Sequence, residues 1–412
     1  MRRLLAAVLL GLGLGVLRTA AAVEVSPIYE ARLLGGETFY SGQRRSLAAD
    51  ASALAAPAMK LDERWSLLPS LSSSYQGTEQ VLDIVGAGTL FEHQWDNRAA
   101  VRAIYAPPDS RWRIKPGASF KYEMLQQTAD EALGNGLYDY MMYSAGVDFE
   151  YVVQEPFGLR FGLDYSGVHF PNYTSLESQA ATQFQGQSLA RELVGDHVLD
   201  TQNVLLTVSA DGPLPDRLIL EGTGSFLYQR YPNQHVVAPS GDLSQPLRED
   251  LITSLAGSLK APRRLDDGLR LLGALDAAVS YDSSNQNSFD ATQIHYLPYY
   301  YNFGELRVGP SVKIMAGPED KAVVLSMGFT YWYRRYPYRP TQDPSSGVYN
   351  PGSPTHTHDW MFSSSLSYPM APHFGMLLAF QFGRAESNQT FQQFYRYDYD
   401  TANYLIGFSY DL

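Results

Sequence analysis

Residues 112–124 read WRIKPGASFKYEM and alternate between two kinds of side chain. One face carries Trp112, Ile114, Pro116, Ala118, Phe120, Tyr122 and Met124. The other face carries Arg113, Lys115, Gly117, Ser119, Lys121 and Glu123. Because successive side chains of a β-strand point to opposite faces, this stretch predicts a strand with one apolar and one polar face. Such a strand suits a wall between lipid and water.

The same period of two recurs along the chain. Its last stretch has an apolar face of Tyr404, Ile406, Phe408, Tyr410 and Leu412. Other apolar sets predicted to face outward are Ala145, Val147, Phe149 and Tyr151; Leu159, Phe161, Leu163 and Tyr165; Val204, Leu206 and Val208; Leu269, Leu271, Leu275, Val279 and Tyr281; Leu306, Val308 and Val312; Val323, Leu325, Met327, Phe329 and Tyr331; and Met376, Leu378, Phe380 and Phe382. The repetition predicts an all-β chain of antiparallel strands.

The connections between these strands alternate in length. Short linkers are predicted at residues 62–63, 107–111, 155–156, 211–216, 262–268, 316–320 and 370–373. Mostly longer, polar linkers are predicted at residues 77–88, 125–137, 171–197, 231–247, 283–298, 336–357 and 388–396. Short turns on one side and long loops on the other are typical of an up-and-down transmembrane β-barrel, and a soluble sandwich has no physical reason for this asymmetry.

The strand count depends on the N-terminal part of the mature chain. Counting hairpins back from Leu412 to a strand at 64–76 predicts 14 strands. Residues 46–61 alternate weakly, and residues 28–40 could pair with the C-terminal strand through Tyr29, Leu33 and Phe39, which makes 16. We favour 16 strands. The alternative is that residues 23–60 form a periplasmic tail or a plug, because alanine supports strands poorly.

The first residues resemble a secretory signal peptide. Arg2 and Arg3 precede an apolar run over residues 4–17, and small residues follow up to Ala22. The expected organisation is therefore a signal peptide over residues 1–22, removed near Ala22, and a barrel over residues 23–412. Beyond residue 22 no stretch of 18 or more apolar residues occurs, so helices are not expected to span a membrane. Cysteine is absent, and the net charge of -12 argues against a nucleic-acid partner.

Together these features resemble the outer-membrane β-barrel proteins of Gram-negative-type bacteria as a class. The resemblance rests on the signal peptide, the hairpins from about residue 64 onward and the aromatic final strand. It implies residence in outer-membrane lipid and recognition of the C-terminal strand by the outer-membrane insertion machinery. One departure is the last residue, which is Leu412 where phenylalanine is usual. The resemblance indicates no particular family, and fold alone does not imply function.

Charged side chains on the predicted inward faces are the candidate site. The predicted lumen lining is Arg98, Arg102, Arg113, Lys115, Lys121, Asp148, Glu150, Asp164, Asp276, Glu305 and Arg307. A basic wall beside an acidic wall could bias ion selectivity. The simpler interpretation is that neighbouring strands pair opposite charges for stability. The longest predicted loop, 171–197, either folds inward as a constriction or stays at the surface, with a short helix over residues 189–194.

We expect a porin-like channel for passive or weakly selective passage of small polar solutes. The alternative is a structural or export component with a plugged or gated barrel. Transport of hydrophobic molecules would need an apolar pocket, for which Leu205, Leu227, Ile252, Leu272 and Leu377 are scattered candidates. No cofactor, catalytic group or metal site is expected. His169 and Ser166 fall on opposite faces, and the imidazoles of His356 and His358 share a face with only Asp359 nearby.

The signal peptide and the period-two pattern predict where the protein is found. Cell fractionation should recover it in the outer membrane, because only a closed barrel satisfies strand hydrogen bonds in lipid. N-terminal sequencing of the recovered protein should begin at or near Val23. Recovery in the soluble periplasm would contradict the barrel interpretation.

Overall fold

The computed structural model describes residues 23–40, 46–77, 80–82, 89–91, 93–126, 132–174, 191–290, 293–318, 321–391 and 397–412. The predicted signal peptide, residues 1–22, lies outside this part of the chain, as do residues 175–190 of the longest loop. In the described residues, no helix combines the length and the apolar character needed to cross a membrane.

Sixteen antiparallel strands form one closed ring. In chain order β1 to β16 are Tyr29–Tyr40, Ser46–Ala55, Trp65–Gly77, His93–Tyr105, Trp112–Gln126, Tyr140–Gln154, Phe157–His169, Thr201–Pro213, Ile219–Val237, Leu243–Asp266, Leu269–Ser284, Phe303–Ala316, Val323–Gln342, Tyr349–Ala371, Phe374–Ser387 and Tyr399–Asp411. Each strand pairs with its chain neighbours, and β1 pairs with β16 to close the ring, with Leu33 opposite Phe408. The predicted up-and-down barrel of 16 strands is confirmed.

The N-terminal residues are part of the wall, so the alternative of a 14-stranded barrel with a plug or tail is wrong. The backbone of Tyr29 exchanges hydrogen bonds of 2.9 and 2.8 Å with Leu412. Two short strands, Glu24–Ser26 and Ala58–Lys60, pair with each other. They extend β1 and β2 toward the end of the barrel that carries the short turns. Pro57 separates β2 from the short strand Ala58–Lys60, because proline has no N–H to donate to the sheet. The alanine-rich β2 forms despite the weak β-propensity of alanine, because an unpaired sheet edge would cost more free energy than alanine costs within a strand.

Two further hairpins lie outside the ring. Gln80–Leu82 pairs with Thr89–Phe91, and Ser288–Asp290 pairs with His295–Leu297. Both belong to the end of the barrel that carries the longer connections.

Two of the predicted long loops are largely strand. Residues 231–247 and 336–357 were expected to be polar linkers, but β9 runs to Val237 before β10 begins at Leu243, and β13 runs to Gln342 before β14 begins at Tyr349. These hairpins project beyond the ring. Neighbouring loops support them: the amide side chain of Gln286 accepts a hydrogen bond from the Val237 N–H at 3.0 Å, and Arg339 stacks on the ring of Tyr300 at 4.2 Å. The strand pairing of these two hairpins therefore depends on side-chain contacts that form only in the folded barrel.

The outward face is a band of exposed apolar side chains bordered by aromatic rings. Near the short turns, Trp65 packs on Tyr105 at 4.8 Å and Trp112 on Tyr151 at 5.1 Å. Near the long loops, Tyr143 packs on Tyr165 at 6.4 Å and Phe380 on Tyr404 at 4.9 Å. The step from Trp112 to Tyr122 is ten residues, or roughly 25 Å along the barrel axis for a strand tilted by about 40°. This height matches the apolar band of an outer-membrane barrel.

The two faces of β8 give a direct test of the orientation. Val208 points outward, opposite Phe161 in the register, and is 47% exposed, while Ser209 points inward opposite Arg160. Val208→Arg should lose about 2 to 4 kcal/mol of folding free energy, because a guanidinium on the lipid face is poorly solvated. Ser209→Arg should cost much less. Urea titration of the refolded barrel in lipid vesicles measures both, and the reverse order would show that the faces are inverted.

Candidate functional site

All eleven predicted lining residues belong to the inward face. In β5 and β6 the register sets Lys115 opposite Asp148 and Arg113 opposite Glu150, while the outward residues Ile114 and Phe149 alternate with them. In β12, Glu305 and Arg307 flank Leu306, which is outward and 38% exposed. The inward placement therefore follows from the same alternation that builds the apolar belt.

The basic wall and the acidic wall are joined by ion pairs. The Lys115 Nζ lies 2.6 Å from the Oε2 of Glu150, and the Nη1 of Arg113 lies 3.8 Å from the same oxygen. Further up the wall, the Nη2 of Arg102 lies 3.5 Å from the Oδ2 of Asp148. The simpler interpretation of these charges, pairing between neighbouring strands, is thus what the geometry supports.

Several partners in this network were missing from the prediction. Arg160 lies 3.3 Å from Glu150 and 3.2 Å from Asp211, and the Lys121 Nζ lies 2.6 Å from Asp96 and also contacts Glu123. The four added residues, Arg160, Asp211, Asp96 and Glu123, sit at inward positions of their strands, so the alternation could have found them. On β4 to β8 the inward charges are then balanced: Arg98, Arg102, Arg113, Lys115, Lys121 and Arg160 face Asp96, Glu123, Asp148, Glu150, Asp164 and Asp211.

The remaining predicted residues contact the wall in other ways. Arg98 donates a hydrogen bond to the Ser119 hydroxyl at 3.3 Å, and the Arg307 guanidinium lies 5.5 Å from the centre of the Trp332 ring. Glu305 accepts from the Arg334 guanidinium at 2.8 Å. Asp276 is exposed to the lumen.

Glycine leaves room for one of the acidic side chains. Asp164 leans over Gly146 on the neighbouring strand, where a Cβ atom would come within 1.9 Å of the Asp164 Oδ1. Asp164 keeps this position only because residue 146 has no side chain.

The opposite side of the lumen carries fewer charges, with Arg32 and Asp50 among the residues that line it. Its inward residues line a recess of about 460 Å³. Most of them are small or polar, as in Ser326, Ser363, Ser365, Gln381 and Asn403. Leu34 and Leu377 are buried at its base, 3% and 8% exposed. The lumen therefore has a densely charged wall on one side and a mainly polar, uncharged wall on the other.

The apolar lumen residues are less scattered than expected. The register sets Leu205 opposite Leu227 and Leu227 opposite Ile252, so these three form one row across β8, β9 and β10. Leu377 instead belongs to the neutral recess, and Leu272 stands opposite Lys313. The row is a narrow stripe between polar residues and does not form an enclosed apolar pocket.

The described end of the longest loop packs against the loop that precedes β12. Its 3-10 helix Arg191–Leu193 carries Glu192, which is 1% exposed and accepts a hydrogen bond from the Tyr301 hydroxyl at 2.9 Å. Burial raises the pKa of Glu192 above its usual range. Residues 175–190 lie outside the described residues, so both alternatives for loop 171–197 stay predictions.

An arginine and two tyrosines connect that loop to the barrel. The Arg248 guanidinium lies between the rings of Tyr231 and Tyr301, 4.2 and 4.4 Å from their centres. Its Nη2 binds the Oδ2 of Asp250, an inward residue of β10, at 2.6 Å. Stacking on two rings and pairing with a carboxylate hold the charge in place without exposing it to solvent.

The histidines singled out in the sequence do not form the sites considered there. His169 is outward and Ser166 inward on β7, which leaves no Ser–His pair. His356 and His358 share the outward face of β14, with ring centres 5.3 Å apart. Asp359 belongs to the inward face, and Tyr331 occupies the Nδ1 of His358 at 2.6 Å.

No protein-family model matches the chain, and neither does any curated protein sequence. Solved structures of bacterial outer-membrane β-barrels are similar to it. OccD3 (OpdP) of Pseudomonas aeruginosa is 10% identical with a TM-score of 0.45, covering 97% of this chain and 93% of that one. OccAB1 of Acinetobacter baumannii is 9% identical with a TM-score of 0.43, covering 94% and 97%. OmpT, an outer membrane protein of Vibrio cholerae, is 11% identical with a TM-score of 0.42, covering 95% and 100%.

The ion-pair network predicts a coupling energy between Lys115 and Glu150. Glu150→Gln should destabilise the barrel by about 1 to 3 kcal/mol, because it leaves neighbouring cations without their carboxylate. Lys115→Gln should then cost less in the Glu150→Gln background than in the wild-type protein, with a coupling of about 0.5 to 3 kcal/mol. Urea unfolding of the two single variants and the double variant measures it. Strictly additive costs would mean that the 2.6 Å contact contributes nothing.

Proposed function

We propose that this protein is an outer-membrane channel for passive passage of small polar solutes with weak charge selectivity. The observation that carries the proposal is the closed ring of 16 strands with an inward face of charged and small polar residues. A ring of this size typically encloses an aqueous channel, whereas a ring of eight strands is filled by its own side chains.

Weak selectivity follows from the balance of charges on the wall. On β4 to β8 the inward cations and anions are equal in number and are mostly paired within 4 Å. Paired charges produce a strong local field but little net potential along the path. A solute is therefore sorted by size and polarity more than by the sign of its charge.

Under this proposal the mature chain resides in the outer membrane of a Gram-negative-type bacterium after removal of residues 1–22. Its partners are outer-membrane lipid on the apolar belt and the insertion machinery on β16. The outward residues of that strand, Tyr404, Ile406, Phe408 and Tyr410, are each between 41% and 55% exposed. We assign the protein no enzymatic activity, no cofactor and no nucleic-acid partner.

A second candidate function is a plugged or gated barrel that serves as a structural or export component. The contact between Glu192 and Tyr301 favours it, because it joins the end of the longest loop to another loop at the outer mouth. The two candidates differ in one measurable property, the conductance of the isolated barrel.

Planar-bilayer recording of the refolded protein tests the proposal. The wild-type barrel should conduct, with weak ion selectivity in a salt gradient. The variant Arg102→Gln, Arg113→Gln, Lys115→Gln should become severalfold more cation-selective, because the lining is then dominated by Asp148, Glu150, Asp164, Asp276 and Glu305. The effect should be largest near 0.1 M salt, where the screening length is about 10 Å, and should fade at 1 M.

Arg384→Gln is the matched control for this experiment. Arg384 is an arginine of β15 on the outward face, paired with Glu386 at 2.7 Å, so its neutralisation should leave the reversal potential unchanged. An equal shift in the control would show that the lining residues do not face the path. The wild-type barrel could instead fail to conduct while the Glu192→Ala variant, or a variant that lacks residues 171–197, does conduct. That result would contradict the open channel and support the plugged barrel.

A further inference from the structure

Two histidines and an aspartate meet on the outer rim of the barrel. His169 is the last residue of β7, and Asp200 precedes the first residue of β8. The Nδ1 of His169 lies 2.7 Å from the Oδ2 of Asp200, and the Nδ1 of His197 lies 4.0 Å from the same oxygen. The centres of the two imidazole rings are 4.9 Å apart, and the ring planes are tilted by 31°. One ligand atom from each residue falls within 4.8 Å of the others.

The three donors match the ligand set of a divalent transition metal. Neutral imidazoles and a carboxylate are ligands that zinc binds at about 2.0 to 2.2 Å, usually in tetrahedral geometry. Ligand atoms in such a site are about 3.4 Å apart. The observed separations of 2.7 and 4.0 Å lie on either side of this value, so shifts of the donor atoms by less than about 1 Å would place each histidine nitrogen at the distance from the carboxylate oxygen that one shared ion requires.

The carboxylate is held by a second contact, which uses its other oxygen. The backbone N–H of Phe170 donates to the Oδ1 of Asp200 at 2.9 Å, which orients the Oδ2 toward both histidines. Outer hydrogen bonds of this kind orient metal ligands and are part of how metal sites are built.

His197 is held in a costly backbone conformation. Its φ is 59°, in the left-handed region that residues with a side chain rarely adopt. Its carbonyl accepts hydrogen bonds from the Asp200 N–H at 3.1 Å and from the Asn233 side chain at 3.2 Å. Strain of this kind persists only where the surroundings enforce it and often accompanies binding sites.

The cluster is open to ions from outside the cell. The side chains of His169 and His197 are 44% and 43% exposed, while that of Asp200 is 15% exposed. A solvent-facing site leaves the fourth coordination position to water. Beneath it, Phe170, Tyr173, Val198 and Leu199 form a buried cluster that fixes the backbone from which the ligands project.

We propose that His169, His197 and Asp200 bind a divalent transition-metal ion, with zinc as the best fit. The ion takes the place of the hydrogens on the two Nδ1 atoms, which contact Asp200 and the Phe170 carbonyl, and the neutral imidazoles then carry their hydrogens on Nε2. It ties the end of β7 to the segment that enters β8, at the base of the loop whose Glu192 contacts Tyr301. The site is separate from the lumen, so it does not depend on whether the barrel conducts.

Calorimetric titration of the folded, chelator-treated full-length mature protein with ZnCl₂ tests the proposal. The wild-type protein should bind one equivalent of Zn²⁺ with saturation, and MgCl₂ should give no binding because Mg²⁺ prefers oxygen ligands. Asp200→Asn and His197→Gln should each weaken Zn²⁺ binding at least tenfold. The amide side chain introduced by Asp200→Asn still offers an oxygen to the Phe170 N–H, so this variant removes the charge with little change to the loop.

His358→Gln is the matched control, because His356 and His358 are the other neighbouring histidines on the outward surface. It should leave the Zn²⁺ affinity unchanged. Heat-modifiable migration on gels verifies that each variant is folded. Absence of saturable Zn²⁺ binding, equal affinity in the wild type and Asp200→Asn, or loss of binding in His358→Gln would overturn the proposal, leaving the cluster as a hydrogen bond that closes the loop.

Discussion

The pairing of β1 with β16 is the constraint on which the rest of this structure depends. In hydrocarbon an unpaired backbone N–H or C=O has no water to bind, so a sheet can span a membrane only when it has no free edge. Leu33 stands opposite Phe408 at this seam, and the inward Thr38 and Asn403 add a side-chain hydrogen bond of 2.5 Å. Once the ring is closed, each residue of a strand faces either lipid or lumen.

The lumen wall shows how the barrel accommodates charge that the alternation forces inward. If these cations and anions were spread evenly and left unpaired, each buried group would lose hydration free energy without compensation. Glu150, whose side chain is only 7% exposed, instead collects Arg113, Lys115 and Arg160 around one carboxylate. The same arrangement that stabilises the wall cancels most of its net charge, which links the stability of the barrel to the weak selectivity we propose.

The outer mouth depends on contacts between loops that are far apart in the chain. Arg248 on β10 stacks on Tyr301, and Tyr301 binds Glu192 from another loop. The base of that second loop is closed by His169 and Asp200, which are 31 residues apart in the chain. A metal ion at this base would stabilise the segment that leads from Glu192 into β8, and so would connect conditions outside the cell to the arrangement of the mouth.

The sequence by itself determined the class of the fold and the face on which each strand residue lies, and it favoured 16 strands over 14. The alternation of strand residues is a local property with a period of two. Because lipid requires apolar side chains on one face, the alternation can be read from the sequence, as in Trp112 to Met124 or Tyr404 to Leu412. Only the tertiary structure decided which inward charges meet, that residues 231–247 and 336–357 continue as hairpins, and that His197 reaches Asp200 and His169. These contacts join different strands or loops, so they depend on register, closure and packing, which no local pattern encodes.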